Sequence, residues 1–145
     1  MATDYRVKMK IVLRAVRQPW VKISVHGQEQ VYQINDQTEF DYDFVTQDST
    51  VTIMIEHFNK DHNDPETAVE IVGIEFFNIA DPAFAWAGTY TPQYPEPWYS
   101  QQVTKPPQTL TKHNYLGWNG VYKLEISIPV FEWMHKTLAM GWIYR

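Results

Sequence analysis

The chain has 145 residues, a formal net charge of −5, a pI near 5.4 and no cysteine. A chain of this length hides roughly 70% of its unfolded surface on folding, enough for one real core, so a single domain over 1–145 is expected. The acidic balance argues against nucleic acid and anionic membranes as partners, and the missing cysteines remove disulfides, thiolate zinc sites and thiol nucleophiles.

The first ten residues, MATDYRVKMK, carry an acid and an alternating pattern where a secretory leader would have an apolar core. The expectation is a soluble mature protein that starts there and is made in a cytoplasm. In YRVKMKIVLRAV, Tyr5, Val7, Met9, Ile11, Leu13 and Ala15 share one face and Arg6, Lys8, Lys10 and Arg14 the other, the period of a long strand with one wet face. Lys8, Lys10, Arg14 and Arg17 form a local basic edge that reads as a solvated strand face. After Pro19, WVKISV and EQVYQIN flank His26, Gly27 and Gln28, where glycine supplies the positive φ of a tight hairpin.

TEFDYDFVT puts Phe40, Tyr42 and Phe44 inward and Asp41 and Asp43 outward. TVTIMIEHF follows the turn at Gln47, Asp48 and Ser49, with Val51, Ile53 and Ile55 as its inner set. The polar stretch HFNKDHNDPETA, His57 to Ala68, then separates it from AVEIVGIEFFNI, a strand apolar on both faces in which Gly73 marks a bulge or a close approach. From Asp81 to Pro107 the alternation fails, and six prolines argue for a long irregular loop. Asn119-Gly120 is suited to a turn with positive φ at both positions, and GVYKLEISIPV restores alternation through Tyr122, Leu124, Ile126, Ile128 and Val130. Phe131, Met134 and Leu138 stand at helical spacing, with Gly141 as the stop of a short C-terminal helix. Some seven strands with almost no helix predict an all-β protein, an antiparallel β-sandwich of jelly-roll or immunoglobulin-like type, with a closed barrel as the alternative.

Two regions hold candidate chemistry. In the polar stretch, Asp61, Asn63, Asp64 and Glu66 are hard oxygen donors of the kind calcium takes, but the glycine of an EF-hand loop is missing and Pro65 interrupts, so the same residues also read as a turn. His57 and His62 have no evident third partner for zinc, and an acid–base set of Glu56, His57 and Asp61 is the weaker reading because no hydrolase, zinc-protease or phosphate-loop signature is present. No enzyme is expected. The second region is Phe84 to Tyr99, where Trp86, Tyr90, Tyr94, Trp98 and Tyr99 alternate with Pro92, Pro95 and Pro97. Flat rings on a stiff backbone stack on sugars or anchor a protein interface. Trp118, in HNYLGWNG, either caps the sandwich or stands exposed beside the proline loop, and the cap is the expected role.

The ordered set HFNKDHNDPET, FFNIAD, KPP, LGWNG and PVFEWM, spanning roughly Val51 to Met134, resembles small virion-associated proteins of tailed bacteriophages and also the β-sandwich of carbohydrate-binding modules. The first resemblance implies a non-enzymatic virion protein of capsid, neck, tail or fibre. It would be present in many copies and would dock on other virion proteins through its aromatic loops and the terminal GWIYR. The second implies a lectin-like module in which Trp86, Tyr94 and Trp98 stack on glycan and Asp61, Asn63 and Asp64 hold calcium.

Overall fold

The computed structural model describes residues 3–61, 63, 64 and 66–138. The expectations placed on His62, Pro65, Gly141 and the terminal GWIYR fall outside them. Two antiparallel sheets form the body. The first runs β10 (Tyr115–Leu116), β6 (Ala68–Phe76), β1 (Tyr5–Val16), β4 (Gln37–Thr46), with β7 (Ile79–Ala80) also paired to β6. The second runs β3 (Gln28–Gln33), β2 (Trp20–Val25), β5 (Thr50–Phe58), β11 (Gly120–Ser127), β8 (Thr89–Pro92), β9 (Leu110–Thr111). The inner residues of both sheets share one apolar core, and the edge strands β3 and β4 are not paired to each other. The architecture is the expected antiparallel sandwich, and the barrel alternative is set aside.

Alternation explains why these segments are strands. In β1, Val7, Met9, Ile11 and Leu13 are all but inaccessible, while the outward Arg6 forms a two-pronged pair with Asp43 across the register at 2.5 and 2.9 Å. Lys10 faces Glu39 at 3.5 Å and Arg14 pairs with Glu70, so the basic edge is a cross-strand charge ladder. Such exposed pairs contribute little singly, and they keep the outer face wet. The β2–β3 hairpin turns on His26 and Gly27, with φ of 49° and 77°, the two left-handed residues of a type I′ turn. The bulge expected in β6 falls at Val72, skipped in the register beside Gly73, and Gly73 has open space around it. It is a bulge position with no close approach.

Three elements depart from the sequence reading. The stretch from Asp81 to Pro107 holds structure: α1 (Pro82–Trp86), capped by the Asp81 carboxylate at the Ala83 amide (2.9 Å), then β8, then α2 (Trp98–Gln101). Proline is tolerated there because it starts α1 and ends β8. In α3 (Val130–Thr137) the buried face is Val130 and Met134, while Phe131 is half exposed and stacks on Phe77 at 4.6 Å. Finally, neither Asn119 nor Gly120 has positive φ. Gly120 opens β11 and pairs with His57 of β5 on one side and Pro92 of β8 on the other. A Cβ there would overlap the Thr91 carbonyl oxygen and come 2.7 Å from the Pro92 Cα.

His57 is a core residue. It follows Ile55 by two in β5, has no solvent exposure, and donates from Nδ1 to the Leu116 carbonyl at 2.9 Å, which leaves Nε2 without a partner among the described residues. Burial lowers its pKa from the usual 6.5, the Leu116 carbonyl opposes that shift, and the nearby Lys60 charge adds to it.

Gly120→Ala is expected to destabilise the fold by about 1–3 kcal/mol through overpacking against backbone, whereas Gly73→Ala, with nothing within 4 Å, should cost clearly less. Urea denaturation of both variants decides the matter, and equal losses would sink the close-approach argument. Because the folded pKa of His57 lies below its unfolded value of 6.5, the unfolded chain takes up the proton first, so this residue's contribution is full above pH 6.5 and declines as pH falls below it. His57→Leu should therefore flatten the fall in stability between pH 7 and pH 5, read by denaturant midpoints. An unchanged slope would count against a neutral buried imidazole.

Candidate functional site

The three strands meeting at Gly120 leave three connections at the same end of the sandwich: the segment that begins at Asn59 after β5, 93–109 after β8 with α2 inside it, and 117–119 between β10 and β11. Polar contacts lock them together. The Asn119 side chain accepts from the Lys60 amide at 2.9 Å and donates to the Lys60 carbonyl at 3.0 Å. The Gln93 amide donates to the Asn119 carbonyl at 2.6 Å. The Tyr90 hydroxyl donates to the Trp118 carbonyl and accepts from the Trp118 amide at 3.2 Å.

On this frame sits a cluster of rings. Tyr94 stacks on Tyr99 at 5.5 Å and 7°, meets Trp98 at 5.8 Å, and points at Trp118 edge-on at 6.5 Å. Trp98 and Trp118 lie 5.6 Å apart. The Lys60 ammonium stands 5.2 Å from the Trp118 ring centre, a cation–π distance, and donates to the Gly117 carbonyl at 2.5 Å. Burial lowers its pKa, with Asp64 opposing. The helical turn α2 is fastened by Lys105, which donates to the carbonyls of Tyr99, Ser100 and Gln102 at 2.8 to 3.0 Å, and the Tyr94 hydroxyl donates to the Pro107 carbonyl at 2.7 Å. Trp98 remains 39% exposed, the outermost ring of the group.

Two cavities of about 270 Å³ each open beside Tyr94. One is lined by Thr91, Pro92, Tyr94, Tyr99 and Gln108, the other by Lys60, Gln93, Tyr94, Glu96, Trp118 and Asn119. The arrangement offers apolar ring faces beside a cation, a carboxylate and amides, the mixture that recognises a ligand with both hydroxyls and flat C–H faces.

Of the five aromatic residues expected to bind, Tyr94, Trp98 and Tyr99 come together here. Tyr90 does not join them as a contact: it is 1% exposed on the inner face of β8, and its hydroxyl holds Trp118 in place. Trp86 is exposed, but α1 packs on β6 and α3, so it belongs to another surface. Trp118 takes the alternative place beside the proline loop and completes the cluster, in preference to the expected core cap; sequence reasoning missed Lys60, hidden among the oxygen donors of its loop.

Those donors form a turn. Asp61 Oδ1 accepts from the Asn63 amide at 2.9 Å, and the Asp61 carbonyl from the Asp64 amide at 3.0 Å. Asp64 accepts from the Thr67 hydroxyl and from the amides of Glu66 and Thr67 at 2.9 and 3.2 Å, and these bonds hold its pKa down to about 2. Among the described residues no three histidine or acidic side chains converge as a metal site. Asp61, Asn63 and Asp64 thus do not, as arranged, make the oxygen cage that calcium requires. Glu56 lies on the outer face of β5 near Lys22, opposite the buried His57, so the acid–base set of Glu56, His57 and Asp61 is not assembled.

No helix among the described residues is long and apolar enough to cross a membrane. No protein-family model and no curated protein matches the sequence. Among solved structures, the chain is similar to the calcium-dependent carbohydrate-binding module vCBM60, with a TM-score of 0.50 and 15% identity over 84% of this chain and 90% of that one. At that identity the likeness shows the fold: this chain is a β-sandwich built like that carbohydrate-binding module.

Proposed function

We propose that this protein binds glycan on the platform formed by Tyr94, Trp98, Tyr99 and Trp118, with Lys60, Glu96, Gln93 and Asn119 as its polar rim. One observation carries the reading: four aromatic side chains from two separate loops converge at one end of the sandwich beside cavities whose walls mix ring faces with hydrogen-bonding groups. The sandwich shared with a carbohydrate-binding module supports it, though one fold hosts many functions and the loops bear the argument. The expected role in a phage virion, with docking to other virion proteins in many copies, gains no support from that likeness. The same rings would serve such docking as anchors, and the binding experiment separates the two.

The module vCBM60 is calcium-dependent, while the Asp64 oxygens of this chain already accept three hydrogen bonds from its own loop.

On a glycan array followed by titration calorimetry, Trp98→Ala and Trp118→Ala are each expected to weaken binding by about tenfold or more, the effect of a central aromatic anchor. Trp86→Ala should leave affinity unchanged. Loss of binding only in the Trp86 variant would move the site to another surface, and an array without any signal would end the glycan reading. Chelation of divalent ions is expected to leave the affinity of the intact protein unchanged. A chelator-sensitive affinity that Asp61→Asn and Asp64→Asn also abolish would show that the loop rearranges around calcium.

A further inference from the structure

The two cavities beside Tyr94 share that ring as a common wall. The ring is fixed on one side by its stack on Tyr99 and at its tip by the hydrogen bond to Pro107. Each cavity, at about 270 Å³, falls short of the roughly 300–1,000 Å³ that encloses a drug-sized ligand, and the two taken as one divided groove reach it.

The geometry points to an oligosaccharide of at least two uncharged units, laid across the Tyr94 ring with one unit in each cavity, as the ligand; this rests on the glycan reading of the platform. A single terminal sugar would leave one of the two cavities and half of the ring wall unused. The requirement for uncharged units comes from the Lys60 side. Lys60 and Glu96 line the same space. Among the described residues the ammonium donates to one carbonyl and has no carboxylate within 4 Å, and Glu96 accepts from the Ser100 hydroxyl at 2.5 Å. Both retain hydrogen-bonding capacity. A hydroxyl satisfies both, donating to the carboxylate and accepting from the ammonium. A carboxylate on the ligand gains Lys60 but is set against Glu96, an amino group the reverse, so the two charges offset and the ion's lost hydration is left uncompensated, whereas a hydroxyl loses far less. On the Tyr99 side the available groups are the Thr91 hydroxyl and the Gln108 amide, both exposed and neutral.

The test is calorimetry of the intact protein with ladders of β-linked glucose, mannose and galactose from one unit to six, and with a galacturonate ladder. Affinity is expected to rise by about tenfold or more between one unit and two. Thr91→Trp, which fills the cavity on the Tyr99 side, should collapse that rise so that longer ligands bind no tighter than one unit. The galacturonate ladder should bind more weakly than galactose of equal length, with Glu96→Gln narrowing the gap. A neutral ladder that binds with the same affinity at every length overturns the two-cavity inference and leaves glycan binding standing. Galacturonate binding as tightly as galactose overturns the requirement for uncharged units. Failure of every ladder overturns the platform reading and this inference with it. Circular dichroism of both variants keeps loss of fold apart from loss of binding.

Discussion

The close approach of three backbones at Gly120 governs the rest of the molecule. This residue is paired with β5 and with β8 at once, and a side chain there would stand in the β8 backbone. Because β8 can lie that near, the chain after Pro92 leaves the sheet beside the chain before Gly120 and the chain after Phe58. Asn119 then joins two of these loops by clamping both backbone groups of Lys60, and the Tyr90 hydroxyl holds both backbone groups of Trp118. A sheet-packing constraint thereby determines where four rings and a lysine meet.

The loops built on this point are ordered before any ligand arrives. Prolines limit the backbone between Pro92 and Pro97, Lys105 closes the end of α2 with three hydrogen bonds, and each ring of the platform lies against another. Association on such a surface pays little for ordering side chains and loops, a cost that elsewhere removes much of the gain from contact. The sandwich beneath it is a common architecture and does not by itself select a ligand, so specificity resides in side chains that the sheets only present.

What the sequence disclosed follows the physics of burial. Strands with one dry face, β1, β4, β5 and β11, were legible because alternation is imposed residue by residue, and Val7 to Leu13 or Tyr122 to Ile126 lie where that pattern puts them. The four-residue strand β8 was not, since Thr89 to Pro92 is too short to show a period among so many prolines. That one omission hid the rest. Without β8 beside β11, Gly120 reads as a turn glycine, Tyr90 as a loop aromatic like Tyr94, and Trp118 as a core cap. His57 was obscured differently: its polarity suggested a loop, whereas its two-residue spacing from Ile55 already placed it inside. Asp61, Asn63 and Asp64 were located correctly as a loop, but whether their oxygens face a metal or their own amides depends on backbone geometry that composition does not carry.

The excursion between Tyr94 and Pro107 is tied at its base by the bond between those two residues, and its tip, Val103, is fully open to solvent. Among the described residues, neither the core nor the ring cluster of the platform includes Val103 itself. Exposed tips of this kind are where chains accept insertion, so Val103 offers a port at which a reporter or a second module can be spliced into the chain. Such a graft would sit close to the aromatic rings while leaving the sheets that carry them undisturbed.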